Sequence, residues 1–223
     1  MKKVEFDFDN VIKKMAKIWD KIAIVEKAIT PSKRFSEETI SNILLSKIPE
    51  KELKKATLLD VGCGEGRITE SLAKKVNHYV GIDVSETVLN RARNKTKTLD
   101  NVKFFHIDKR LKYLFEKETF QIVISWAVFP HMPKEMLRIY LDDIYTIMDS
   151  KGYFNFQPDD YPSLIKNNIK RRFDKIQNYF NETQSFWRAR WYPEWLMGYY
   201  IIEAGFKIEG LPEEEEQCWR VRK

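Results

Sequence analysis

The sequence predicts an α/β fold with a doubly wound, mostly parallel sheet, and three observations predict it. Apolar runs of strand length alternate with helical patterns through the middle of the chain, the arrangement that builds strand–helix–strand units. The first run, Leu58 to Val61, contains an acid and opens onto glycines at every second position: Gly62, Gly64 and Gly66. Three successive runs carry a carboxylate at their ends, Asp60, Asp83 and Asp108. A parallel sheet sets all three along one edge, where open α/β sheets bind ligands.

The elements follow in order. Glycine lets the first turn take positive φ and approach a ligand with no Cβ in the way, and the helical pattern from Ile68 aims free N–H groups at the same spot. Nicotinamide and flavin enzymes place a similar turn here, but their third glycine would fall on Arg67. That long side chain argues against a pyrophosphate cradle, so an oxidoreductase is the weaker reading. The second run, Tyr79 to Asp83, is followed by a helix that Ser85 is placed to cap. A carboxylate at that strand end accepts from both hydroxyls of a ribose; the plain alternative is a charge stabilising a helix start. Val102 to Asp108 reads as the third strand, and Phe120 to Ser125 as the fourth, running into a loop over 126–133. Met136, Leu137, Tyr140, Leu141, Ile144 and Met148 share one face of the next helix, which starts at Pro133 and ends near 151–152. Residues 153–156 read as the fifth strand.

Residues 58–67 resemble the first motif of the class I S-adenosylmethionine-dependent methyltransferases. Residues 79–85 are similar to the second motif, and 120–133 to the fourth with its following loop. The resemblance covers about 55–156 and implies a Rossmann-like, seven-stranded, mostly parallel sheet with helices on both faces. It implies S-adenosyl-L-methionine as cofactor, its methionine part held by Asp60, Gly62, Cys63, Gly64 and Gly66. By the same resemblance Asp83 takes the ribose, Val84 lies on the adenine face, Asp108 accepts from the adenine amino group, and Ser125 completes the cofactor set. Gln121 departs from the family, which often has an acid there, but at the strand start, away from the ligand edge. His131 follows the fourth strand on the cofactor side, and an imidazole suits removal of a hydroxyl proton; a histidine there also serves simply to brace the loop. Trp126 borders the transferred methyl group or belongs to the core.

Outside 55–156 the pattern is helical at the front, over 10–29 with Val11, Ile12, Met15, Ile18, Trp19, Ile22 and Val25, and again from Ser36. These helices are expected to cover the cofactor or to add core. Residues 157–195 hold a basic helix and many aromatics, and Arg188, Arg190 and Trp191 there are candidate acceptor contacts. The plainer alternative is the core of a capping subdomain. Residues 196–223 close with a helix ending before Gly205 and two strands. The expected organisation is one domain of four stretches: 1–54, 55–156, 157–195 and 196–223.

At 223 residues, 43% hydrophobic and 32% charged, the chain has an ordinary globular balance. It has no apolar run of spanning length and no leader-like start, so the cytoplasm is the default expectation. Two cysteines, Cys63 and Cys218, support neither a disulfide framework nor a zinc set, and no metal is expected. The net charge of +6 is scattered, the densest basic cluster being 166–172. The expected activity is methyl transfer to an oxygen or nitrogen of a small-molecule or glycan-like acceptor. The rivals are an RNA methyltransferase, disfavoured by the lack of an Asn/Asp-Pro-Pro-aromatic motif, and a non-catalytic binding protein that keeps the cofactor fold. Oligomeric state is left open.

Overall fold

The computed structural model describes residues 6–25, 35–157, 192–211 and 218–223. Seven strands form one sheet in the order β3-β2-β1-β4-β5-β7-β6. They are β1 (Thr57–Val61), β2 (His78–Asp83), β3 (Val102–His106), β4 (Phe120–Ser125), β5 (Met148–Phe156), β6 (Lys207–Gly210) and β7 (Trp219–Arg222). The first five pair in parallel, and β7 runs antiparallel between β5 and β6. The expected mostly parallel, doubly wound sheet of seven strands is present. Chain order reverses between β1 and β4, and at that switch point two neighbouring crossovers leave to opposite faces.

Strand alternation builds a core on each face. Leu58 of β1 and Ile122 and Ile124 of β4 point to one side, where they meet Ile40 and Leu44 of α2 (Glu37–Leu45), Leu53 of α3 (Glu50–Leu53) and Leu72 of α4 (Thr69–Ala73). Leu59, Val61 and Val123 point to the other. There they meet Ile12 and Met15 of α1 (Phe8–Val25), Leu137 and Ile144 of α6 (Lys134–Ile147) and Met197 of α7 (Glu194–Glu203). Each such buried side chain contributes roughly 1.5–3 kcal/mol. Helix α5 (Glu86–Lys95) packs on β2, β3 and α1.

Three boundaries differ from the sequence reading. Helix α6 stops at Ile147, and Met148, expected on its apolar face, instead starts β5. The register jumps from Phe120↔Met148 to Ile122↔Tyr153, so 149–152 bulge out of the ladder, with Asp149 accepting from the Lys151 N–H at 2.9 Å. Pro133 is the residue before α6 rather than its first turn. The front helix is described over Phe8–Val25, the rest of its expected span lying outside the described residues. No helix among the described residues is long and apolar enough to cross a membrane.

Candidate active site

The β1–α4 turn takes the expected conformation, with φ of +76° at Gly62, +54° at Gly64 and +72° at Gly66. Each glycine has its own reason. The N–H groups of Gly62 and Cys63 both donate to the Ile82 carbonyl, at 2.8 and 3.0 Å, drawing the turn onto β2. A Cβ on Gly62 would then lie 2.3 Å from Val128 Cγ2. At Gly66 it would lie 3.0 Å from the Ala92 Cβ on α5. At Gly64 it would meet nothing within 4 Å, because that face opens into space. Arg67 also lines the cavity, and its Nη2 donates to the Phe35 carbonyl at 2.7 Å, tying the turn to the start of α2.

Asp83, half-buried at the end of β2, accepts from the Gly64 N–H through Oδ2 at 3.0 Å and from the Ser85 N–H through Oδ1 at 2.9 Å. Each oxygen keeps a lone pair for a further donor. Burial raises its pKa and the backbone donors Ser85, Gly64 and Val84 pull it back, with a net rise. Asp60 lies inside β1 rather than at its tip, 1% exposed, and accepts from the Tyr79 hydroxyl at 2.6 Å. Tyr79 in turn accepts from Thr69 Oγ1 at 2.9 Å. Burial pushes the Asp60 carboxyl up to about 7; Tyr79 opposes the rise and the nearby Asp83 charge adds to it.

These groups wall a cavity that opens to solvent. Its polar lining comes from the ends of β1 and β2: Asp60, Gly62, Gly64, Asp83 and Ser85, with Cys63 and Val84 beside them. Its apolar lining comes from the loop after β4, through Trp126, Ala127, Val128, His131 and Met132. Met15 and Trp19 of α1 and Ile40 of α2 close the top. The Trp19 and His131 rings meet edge to face at 5.1 Å, and Trp126 meets Phe35 the same way at 6.2 Å. Ala127 holds φ +59°, a strained value for a residue with a Cβ, where the chain turns into this loop.

Most of the residues singled out from sequence line this cavity, but among the described ones Gly66, Asp108 and Ser125 do not; Gly66 packs against Ala92 of α5 instead. Asp108 is exposed and outside the lining, whereas Ile107 is 2% exposed and lines the cavity. Strand β3 ends at His106, and the alternation of side chains turns Ile107 inward and its neighbour out. Ser125 is fully buried but not part of the lining; its hydroxyl donates to the Val61 carbonyl at 3.1 Å and braces β4 against β1. Arg188, Arg190 and Trp191 lie outside the described residues. Sequence reasoning missed Tyr79, Ala127 and Ile107. A tyrosine inside a strand carries no signal of its own, and an alanine at positive φ carries none at all.

A seven-stranded sheet whose last strand in sequence inserts antiparallel beside β5, with a glycine turn and a carboxylate at its switch point, is a fold shared with solved S-adenosylmethionine-dependent methyltransferases. Residues 58–152 match the family model described as a methyltransferase domain. The matched segment makes up less than half of the chain and is similar to a methyltransferase domain. A ubiquinone biosynthesis O-methyltransferase of Hydrogenovibrio crunogenus is 34% identical over 84 residues, 37% of this chain and 35% of that protein. The match thus spans about a third of that relative's length. Among solved structures, a SAM-dependent methyltransferase from Aquifex aeolicus aligns with TM-score 0.61 at 21% identity, over 98% of both chains. Magnesium protoporphyrin IX methyltransferase from Synechocystis PCC 6803 aligns with TM-score 0.67 at 17% identity, over 94% of this chain and 98% of that one. At these identities the two structures speak for the fold.

Proposed function

We propose that this chain is an S-adenosylmethionine-dependent methyltransferase acting on an oxygen or nitrogen of a small acceptor with an apolar, ring-like body. The observation that carries the reading is the open face at Gly64 beside the Asp83 carboxylate, in a cavity that continues into the aromatic and aliphatic loop after β4. The residues fit the donor. Gly64 leaves room a side chain would fill, each Asp83 oxygen keeps a lone pair for a ribose hydroxyl, and Asp60 adds a buried acidic group to the lining. Val84 and Ile107 supply apolar surface for a base.

When bound, the donor supplies a sulfonium methyl group, electrophilic because the neutral thioether is a good leaving group. Trp19, Trp126 and Met132 exclude water and orient the acceptor for in-line attack. His131, held edge-on to Trp19, would take the acceptor's hydroxyl proton at an imidazole nitrogen as the donor's methyl group passes to oxygen and the thioether leaves. The apolar lining supports a phenol- or quinol-like acceptor over a glycan, and the ubiquinone-pathway relative acts in the same direction. Arg188, Arg190 and Trp191 remain proposed acceptor contacts, and 1–54, 55–156, 157–195 and 196–223 are proposed to work as one domain.

Calorimetric titration with S-adenosylmethionine, S-adenosylhomocysteine and nicotinamide dinucleotides tests the donor; binding of the sulfur ligands alone is expected, and no heat from either rejects the reading. Asp83→Ala is expected to weaken donor affinity roughly 10- to 100-fold. His131→Ala should lower kcat by about 10²-fold or more while leaving donor affinity intact. An undiminished rate would leave alignment as the whole mechanism.

A further inference from the structure

Helix α1 closes the top of the cavity with Met15 and Trp19, and a single carboxylate just beyond them, Asp20, reaches across to another element. Asp20 Oδ1 accepts from the Ser85 hydroxyl at 2.6 Å and from the Thr87 N–H at 3.2 Å. Ser85 is the N-cap of α5: its oxygen accepts from the Val88 N–H at 3.3 Å while its one proton goes to Asp20. Asp20 thus supplies, from a different helix, the anionic charge that the α5 N-terminus favours. Burial pushes its pKa up, but the hydrogen bonds from Ser85 and Thr87 outweigh it, and the net shift is downward, so the group is charged at neutral pH.

The same Ser85 donates its backbone N–H to Asp83 Oδ1 and itself lines the cavity. One residue therefore joins the ribose-side carboxylate to the roof helix. A second tie runs in parallel: Arg91 of α5 donates to the Ala23 carbonyl near the end of α1 and lies 3.6 Å from Glu65 of the glycine turn.

We infer that Asp20 is a positioning residue, a tether that seats Met15 and Trp19 over the bound donor and sets how fast the donor and its product leave. The consequence for ligand release rests on the donor assignment above; the tether itself does not. Two exposed or half-exposed helices packed only through apolar contacts can slide, whereas a charge-assisted contact of this kind fixes their register. Loss of the tether should act on dissociation more than on the chemical step, since Asp20 is not part of the cavity lining.

The test uses the full chain with Asp20→Ala and Asp20→Asn, the latter keeping one acceptor oxygen without the charge. Hydrogen exchange of the ligand-free protein reports the tether directly. In Asp20→Ala, amides of 8–25 are expected to exchange about tenfold faster while those of β1 and β4 keep the parent rate. Stopped-flow displacement of S-adenosylhomocysteine should show dissociation about tenfold faster for Asp20→Ala and intermediate for Asp20→Asn, with kcat changed less than twofold. Parent-like exchange in α1, or a loosened α1 with parent-like dissociation, overturns the inference. If the parent binds no S-adenosylhomocysteine, the donor assignment fails instead, and α1 exchange alone decides the tether. Should Asp20→Ala not fold, Asp20→Asn carries both measurements.

Discussion

Gly62 and Gly64 sit two residues apart, both at positive φ, yet a methyl group added to each has a different consequence. In Gly62→Ala the new Cβ meets Val128 Cγ2 at 2.3 Å on top of the backbone strain. A loss of roughly 2–4 kcal/mol is expected, read as a Tm lowered by about 5–10 °C. In Gly64→Ala only the left-handed conformation is penalised, by about 1–2 kcal/mol, so the protein stays folded. The methyl group then stands in the space assigned to the donor, and calorimetry should show affinity for S-adenosylmethionine down at least about tenfold. Both glycines and Asp83 were legible in the sequence because a backbone freedom and a strand-end acid are local properties. Asp108 lies outside the lining because the three acids are not equivalent strand tips. The third strand stops two residues earlier, and the inward position falls to Ile107.

At the scale of elements, the helix expected from Ser36 starts there, and the structure adds its cap. Ser36 Oγ accepts from the Thr39 N–H at 3.0 Å, and Glu37 and Glu38 occupy the first turn. Ser36→Ala should cost about 1 kcal/mol, a fall of about 2–4 °C in thermal unfolding, without altering donor affinity. Helical periodicity likewise exposed the apolar stripe of α1, whose Ile12 and Met15 are buried. Periodicity did not reveal the boundary between α6 and β5. The apolar spacing continues through Met148, whereas the register shift over 149–152 depends on pairing with a distant strand, β4. The Asp20 contact was equally invisible, since a hydrogen bond across 65 residues leaves no trace in local pattern.

For the molecule as a whole, the buried acids set a pH dependence. Asp60 has its pKa raised to about 7 in the folded chain, against about 3.9 when unfolded. Between those values the native state binds a proton that the unfolded state has lost. Stability therefore falls as pH rises from about 4 through 7 and levels above it, and Asp83 adds in the same direction. Asp60→Asn, which still accepts from Tyr79, should raise Tm more at pH 8 than at pH 5, by a difference of roughly 5–10 °C in calorimetric scans. An equal gain at both pH values would reject a raised carboxyl. The sheet order itself was accessible only through family resemblance, because nothing in Trp219 to Arg222 says that this strand wedges between two earlier ones. That wedge has a kinetic corollary. Strand β6 pairs with β7 alone, so growth of the sheet past β5 must wait for a later stretch of chain. Refolding should then build a five-stranded nucleus first and dock the β6–β7 hairpin as a preformed unit in a separable, slower phase.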